Sequence, residues 1–185
     1  MIKGILDYSH DLLKHSVEEG DIVMDATCGN GHDTIFLSGL TGPSGKVFAF
    51  DIQQQAIRNT KQLLSDAKHQ NVTLVHDSHA NASEYLPEGE LGGAIFNLGY
   101  LPKSDKSIVT KGSSTIEAVN NLLPRLGRGK IIVLVVYHGH PGGREEKEAV
   151  VNHVQQLEQK DYAVLRYGFI NQRNNPPFIL AVQKR

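Results

Sequence analysis

Residues Val23 to Thr34 read VMDATCGNGHDT, and this stretch decides the fold of the 185-residue chain. An apolar strand ends in an acidic residue, Asp25, and runs into a glycine-rich turn. Gly29 and Gly31 have no Cβ atom, so the turn can adopt left-handed backbone angles and approach a ligand closely. A second strand, KVFAF, ends at Asp51, near the spacing of roughly 20 residues expected between such a loop and a ribose-binding carboxylate. The two strand ends together predict a crevice for a nucleotide-type ligand.

The glycine turn also indicates which nucleotide is bound. The run GNGHDT lacks the third glycine of a dinucleotide-binding loop. Asp33 at the start of the next helix would repel a phosphate, whereas it suits a ligand with a cationic amino-acid head, such as S-adenosylmethionine (SAM). This order resembles the class I SAM-dependent methyltransferases, which implies SAM as the cofactor. The predicted cofactor contacts are Thr27, Gly29, Asn30, Gly31, Asp33, Thr34, Asp51, Gln53, Asp77, Ser78 and His79.

Length and composition favour one enzyme domain over residues 1–185. The hydrophobic content of 39% is enough for one substantial core, and the net charge of −1 gives no global attraction to nucleic acid. The one cysteine, Cys28, excludes an intramolecular disulfide. No signal peptide or membrane span is recognised at the N-terminus, so a cytoplasmic location and no membrane partner are expected.

The order of elements predicts the fold class. Apolar strands alternate with helical patterns, which indicates an α/β, doubly wound, Rossmann-like sheet that is mostly parallel. The last two strands have no helix between them and should form an antiparallel C-terminal hairpin, as in class I methyltransferases. The predicted strands are Asp21 to Ala26, Lys46 to Phe50, Val72 to His76, Gly93 to Asn97, Lys130 to Val136, Ala163 to Tyr167 and Phe178 to Gln183. The predicted helices are Leu6 to Val17, Asp33 to Leu40, Gln53 to Lys68, Ala80 to Leu86, Ser113 to Leu126 and Arg144 to Gln159.

Polar residues crowd the carboxyl ends of these strands, where ligands collect in such sheets. Asp51 is expected to accept hydrogen bonds from both ribose hydroxyls. Asp77 and Ser78 close the third strand and are placed to meet the adenine edge. An equally weighted alternative is that Asp77 caps the segment that follows it.

The stretch AIFNLGYLP, from Ala94 to Pro102, predicts the chemistry. Asn97 ends an apolar strand, and Tyr100 and Pro102 follow. This resembles the Asn-Pro-Pro-Tyr motif of methyltransferases that modify exocyclic amino nitrogens, in which the Asn oxygen holds the amine and the aromatic ring stacks on the base. Here Leu98-Gly99 replaces the two prolines. The alternative is that Asn97 caps a loop and Tyr100 only packs.

The whole chain resembles one group, the MnmM (YtqB-type) methyltransferases, formerly labelled rRNA methylases. The segments that carry the resemblance are Ser9-His10, DATCGNGHDT, FNLGYLP with the lysines after it, YHGHPGG from Tyr137, and Asn174-Asn175-Pro176-Pro177-Phe178. The resemblance implies methyl transfer from SAM to the amine of 5-aminomethyl(-2-thio)uridine at the tRNA wobble position. Composition and spacing alone reach only a SAM-dependent methyltransferase that acts on nitrogen. An rRNA methyltransferase, a small-molecule methyltransferase and a nonenzymatic nucleotide-binding module stay open as alternatives.

Histidines supply the candidate bases, since neutral imidazole is available near pH 7. His10, His138 and His140 are the candidates, with Asn97, Tyr100 and His138 predicted as catalytic residues. The pair His138 and His140 lacks further ligands at a familiar metal spacing, so no metal is expected. Cys28 is interpreted as a small apolar lining residue.

RNA contact must come from a local patch, because the chain as a whole is almost neutral. The predicted substrate-binding residues are His10, Lys103, Lys106, His140, Arg144 and Asn174, with a solvated lysine loop as the alternative. Without a separate RNA-binding domain, a compact partner such as a tRNA anticodon stem-loop is favoured. The oligomeric state is left open, with a homodimer as one option.

Overall fold

The computed structural model describes residues 1–99 and 111–185. The strands are β1 (Ile22–Asp25), β2 (Lys46–Phe50), β3 (Val72–Val75), β4 (Leu91–Leu98), β5 (Leu126–Val136), β6 (Tyr162–Gly168) and β7 (Phe178–Lys184). The α-helices are α1 (Ile5–Lys14), α2 (His32–Thr41), α3 (Gln54–Asp66), α4 (Gly112–Leu122) and α5 (Gly143–Gln155), and two 3-10 helices span His79–Glu84 and Leu123–Arg125.

The strands form one seven-stranded sheet in the order β3-β2-β1-β4-β5-β7-β6. β1 to β5 pair in parallel, whereas β7 is antiparallel to both β5 and β6. This confirms the predicted mixed sheet and its C-terminal hairpin. The strand order reverses between β1 and β4, so the carboxyl ends of these two neighbours open the crevice in which such sheets bind ligands.

Alternate residues of the strands feed two apolar layers, because successive side chains point to opposite faces. Met24, Phe96 and Leu134 face one layer, which also contains residues of α4 and α5. Val23 and Ile95 face the other layer, which contains residues of α1 and α2. Helices therefore cover both faces of the sheet, as the doubly wound prediction requires.

Several element boundaries differ from the prediction. The helix predicted to reach Leu126 ends as an α-helix at Leu122 and continues as a 3-10 turn. Pro124 explains this end, because proline lacks the N–H that an α-helix needs and clashes with the preceding turn. β5 then begins at Leu126, before the predicted start at Lys130. The first helix also ends early, at Lys14.

Candidate functional site

The glycine turn sits at the carboxyl end of β1 and begins α2. The Gly31 N–H donates to Cys28 O over 2.7 Å, and the Ile35 N–H donates to Gly31 O over 2.9 Å. Gly31 has a φ of +87°, and a Cβ there would lie 3.1 Å from Thr60 on α3. The turn therefore requires glycine for both its backbone angle and its close approach to α3.

Asp51 follows β2 and is tied to the turn by backbone donors. Its Oδ2 accepts from the Gly29 N–H at 3.0 Å, and its Oδ1 accepts from the Gln53 N–H at 2.9 Å. Burial raises the pKa of Asp51, and the backbone hydrogen bonds oppose this rise. A carboxylate offers about four acceptor positions, so two backbone bonds leave acceptor capacity for a pair of ligand hydroxyls.

His79 brings a buried acceptor to the same region. Its Nδ1–H donates to Ala26 O over 3.0 Å, and its Nε2 is buried with no hydrogen-bond partner in the described part of the chain. Burial lowers the pKa of His79, while the Asp51 charge opposes this, so the ring is neutral and Nε2 is an acceptor. A buried polar atom left without a partner is costly, and an amino group of a bound ligand would satisfy it.

Asp77 and Ser78 make local contacts. The Asp77 carboxylate accepts from the side chains of Asn81 and Tyr85 and from the Ser78 N–H, and these bonds lower the pKa of Asp77. Ser78 Oγ accepts from the Ala80 N–H at 3.2 Å. The N-cap of the 3-10 helix His79–Glu84 is thus Ser78 rather than Asp77, and contact between Asp77 and a cofactor stays a prediction.

Three other predicted cofactor residues make hydrogen bonds that stabilise the glycine turn and the strand ends beside it. The Asn30 side chain accepts from Asn59 at 3.0 Å, and Thr27 Oγ1 accepts from the Asn97 N–H at 2.7 Å. Thr34 is fully buried, and its hydroxyl donates to Asp25 at 2.6 Å. The Thr34 side chain thus holds the Asp25 carboxyl group in place, and contact between Thr34 and a cofactor stays a prediction.

Asp25 is a fully buried carboxyl at the end of β1. Burial, together with the nearby Asp33 charge, raises the pKa of Asp25 to about 8. The Thr34 hydroxyl and the Thr27 N–H oppose this rise. At neutral pH the Asp25 side chain is therefore mostly protonated and serves as a framework group below the crevice.

Asp33 links three distant parts of the sequence. One of its oxygens is 2.7 Å from His10 Nε2 on α1, and the other accepts from the Asn97 side-chain amide on β4. His10 stacks on Phe36 with the ring centroids 3.8 Å apart and the planes at 4°. The motif residue Asn97 and the candidate base His10 are thus brought together by one carboxylate.

The segments YHGHPGG and NNPPF also meet beside this site. His138 Nε2 donates to Pro176 O over 3.1 Å, and burial lowers the pKa of His138. The ring nitrogens of His140 lie 2.9 Å from Tyr137 O and 3.0 Å from Pro141 O. Both histidines therefore bind backbone carbonyls at the end of β5.

Tyr137 is a site residue that the sequence analysis did not select. A Cβ atom at Gly99 would lie 3.3 Å from Tyr137 Cβ, so the two residues are close neighbours. Burial, followed by the Asp33 charge, raises the pKa of the Tyr137 hydroxyl. Its position as an aromatic at the carboxyl end of β5 was the signal for it.

The predicted substrate residue Arg144 pairs with Glu148 on an exposed turn of α5, and Asn174 is exposed with a φ of 63°.

Some predictions lie outside the described residues, namely those for Tyr100, Lys103 and Lys106. Within residues 1–99 and 111–185, no group of three or more His, Cys, Asp or Glu side chains could hold a metal ion. No helix in that part of the chain combines the length and apolar character needed to cross a membrane.

Comparison with known proteins identifies the family. Residues 47–183 match the family model described as "Putative rRNA methylase". The chain belongs to this methylase family. It is 36% identical over 193 residues to the Arabidopsis thaliana protein named tRNA (mnm(5)s(2)U34)-methyltransferase, chloroplastic, covering 99% of the chain and 70% of that relative.

Solved structures of family relatives agree over the full length. A Clostridium thermocellum protein with the same rRNA-methylase description is 45% identical with a TM-score of 0.97, and the match covers 100% of both chains. A Streptococcus mutans methyltransferase in complex with SAH is 40% identical with a TM-score of 0.93, again over 100% of both chains. The predicted class I methyltransferase fold and the predicted use of SAM are thereby confirmed.

Proposed function

We propose that this methylase transfers a methyl group from SAM to the amine of 5-aminomethyl(-2-thio)uridine at the tRNA wobble position. The product is 5-methylaminomethyl(-2-thio)uridine. The observation that carries the proposal is the 36% identity with the Arabidopsis tRNA (mnm(5)s(2)U34)-methyltransferase, which extends over 99% of the chain. Asn97 at the end of β4, in the motif that resembles amine-methylating enzymes, supports a nitrogen target.

The residues around the turn fit SAM. Asp51 keeps acceptor capacity for the ribose hydroxyls, beside the Gly29 and Gln53 backbone that holds it. The neutral His79 offers Nε2, a buried acceptor suited to the adenine amino group. When bound, SAM supplies a methyl group on a positively charged sulfur. The chain's task is then to orient the acceptor nitrogen and to exclude other nucleophiles.

Asn97 is the proposed residue that orients the substrate amine. Asp33 accepts a hydrogen bond from the Asn97 side chain, and an ionised carboxylate accepts only, so the amide nitrogen must face Asp33. The amide oxygen of Asn97 is left to accept from the substrate amine. Because positive charge develops on that nitrogen during the reaction, an oriented oxygen dipole stabilises the transition state.

For the RNA we propose an anticodon stem-loop held with the wobble base out of the stack. Tyr100 would stack on the uracil, and Lys103, Lys106 and Arg144 would meet phosphates, as single-stranded loops are recognised by stacking and cationic contacts. His140 and Asn174 complete the proposed substrate contacts near the end of β5. We further propose that residues 1–185 act as one domain in the cytoplasm, and that a homodimer is an option to test by light scattering.

Nucleoside mass spectrometry tests the proposal. Purified protein and SAM are incubated with tRNA that carries free aminomethyluridine, with the matching anticodon stem-loop, and with rRNA fragments. The expected result is one added methyl group on the wobble nucleoside of the first two substrates and none on the rRNA. A methyl group on another nucleoside, or unmodified tRNA, would overturn the proposed function. Methylated rRNA would instead favour the activity named in the family description.

A further inference from the structure

Both carboxylate oxygens of Asp33 contact side chains that are candidates for catalysis. Oδ1 contacts His10 Nε2 at 2.7 Å, and Oδ2 accepts from Asn97. The Asp33 and His10 side chains are 14% and 27% exposed, so the contact lies at the crevice wall and is partly shielded from water. The three residues are far apart in sequence and come from α2, α1 and β4. This arrangement places an acidic side chain where it can set the orientation of both neighbours.

The contact with Asp33 also fixes the tautomer of His10. A carboxylate accepts hydrogen bonds, so Nε2 carries the proton and Nδ1 keeps its lone pair. The parallel stack on Phe36, with centroids 3.8 Å apart, restrains rotation of the ring. A carboxylate that orients one imidazole nitrogen and stabilises the imidazolium is the arrangement by which histidines serve as bases in hydrolases.

Other charged and titratable groups surround this pair. The Asp33 charge acts on Asp25, which is neutral when protonated, and on the hydroxyl of Tyr137, the residue that directly follows β5. Lys14, on the same helix as His10, places its ammonium 5.7 Å from the centroid of the Phe36 ring. Of these groups, Asp33 is the one in direct hydrogen-bond contact with the imidazole.

The other candidate bases are held differently. His138 donates Nε2–H to Pro176 O, and both nitrogens of His140 lie within 3.0 Å of backbone carbonyl oxygens. His10, by contrast, is oriented by the carboxylate of Asp33. It is also joined through that carboxylate to Asn97, the residue proposed to hold the amine.

The proposed reaction needs a base, because an alkylamine such as the lysine side chain has a pKa of about 10.4 and is protonated at neutral pH. We propose that His10 Nδ1 takes a proton from the substrate ammonium and that Asp33 positions both His10 and Asn97 for this step. The N–H bond breaks, its electron pair stays on nitrogen, and a new Nδ1–H bond makes the ring imidazolium. The neutral amine has the lone pair that methylation requires, and the exposed side of His10 releases the proton to water. This inference rests on the proposed function.

The pH dependence of His10→Gln tests the base. Glutamine keeps a donor for Asp33 but cannot take the proton, so single-turnover methylation of the anticodon stem-loop should fall about 100-fold at pH 7. The deficit should shrink to a few-fold near pH 10, where the free amine no longer needs a base. His15→Gln is the matched control, since His15 follows the same helix and bonds Asp11 O. An equal deficit at every pH, or none at pH 7, would overturn the role of His10.

Nitrogen NMR of the imidazole gives a readout that does not use activity. In the full-length protein without SAM, His10 should show a protonated Nε2 and a bare Nδ1, and Asp33→Asn should abolish this preference while the fold is retained. A His10 tautomer that does not respond to Asp33→Asn would overturn the positioning role. If the wild-type protein shows the expected tautomer but methylates no aminomethyluridine RNA, the proposed function fails and so does the role of His10 as its base. If wild-type methylation occurs with a pH-independent His10→Gln deficit, the inference alone fails.

Discussion

The two sides of the crevice are built in different ways. On the cofactor side, Asp51 is held by backbone N–H groups of Gly29 and Gln53, which belong to its own strand end and the neighbouring turn. On the acceptor side, Asn97 and His10 are held by the side chain of Asp33, 64 and 23 residues away. Backbone contacts follow from the loop geometry and survive most substitutions, whereas the acceptor side depends on individual side chains. Point mutations should therefore damage catalysis more than SAM binding.

The largest effect is expected from Asn97→Ala. Loss of one oriented polar contact in the transition state should lower methyl transfer about 100-fold. SAM affinity should stay within a few-fold, because Asn97 lies on the acceptor side. Single-turnover rates and calorimetry separate the two quantities, and Gln62→Ala on the exposed face of α3 serves as the control. Full turnover by Asn97→Ala would place the catalytic loop elsewhere and end the analogy with the Asn-Pro-Pro-Tyr motif.

A smaller effect, on the opposite side, is expected from Asp51→Ala. Removal of two hydrogen bonds to a charged acceptor, worth roughly 1.5 to 3 kcal/mol each before water compensates, should weaken SAM binding at least about tenfold. Asp66→Ala, at the end of α3, is the matched control. Calorimetry on the folded variant decides the matter: unchanged affinity would remove Asp51 from the cofactor site.

The same contrast explains what the sequence could predict. The turn, the ends of β1 and β2 and the alternation of elements are local patterns, and the sheet and the placement of Asp51 agree with them. Asn97 was recognisable for the same reason. The partners of Asp33 were not, because a contact between α1, α2 and β4 arises only when the sheet is assembled. Likewise, motif spacing does not reveal that Thr34 is turned inward under Asp25.

Thr34→Val tests the buried hydrogen bond between Thr34 and Asp25, which lies below the crevice. The substitution keeps the shape but removes the buried hydroxyl that donates to Asp25 at 2.6 Å, so the free energy of unfolding should fall by about 1 to 3 kcal/mol. Thr34→Ser keeps the donor and should lose less. Urea denaturation at pH 6 measures the difference, and equal stability of the valine variant and the wild type would contradict the structural role of this bond.

The pH dependence of stability has a definite sign at Asp25. Its folded pKa of about 8 lies above the ordinary value of 3.8, so between these values the folded chain binds more protons than the unfolded chain. The contribution of Asp25 to stability is therefore fully present below pH 3.8 and is lost as pH rises toward and through about 8. Asp25→Asn should flatten this part of the stability profile. An unchanged slope between pH 5 and pH 9 would contradict the raised pKa.

The smallest effect is expected on the salt dependence of RNA binding. The whole chain carries a net charge of only −1, so the acceptor side must bind RNA with few charged contacts. Each lysine at a phosphate releases condensed counterions, so the logarithm of affinity should fall with the logarithm of salt by up to ~0.7 per contact on a single-stranded loop. Lys103→Ala or Lys106→Ala should each reduce the slope of log affinity against log salt by up to ~0.7. Over a fourfold range of salt concentration, this change corresponds to about a threefold difference in affinity. Lys68→Ala, just after α3, is the control. Anticodon stem-loop binding measured by fluorescence anisotropy between 50 and 200 mM salt gives the slope. If both variants keep the wild-type slope, the lysines after Asn97 are a solvated loop, and the phosphate contacts must be sought near Arg144 instead.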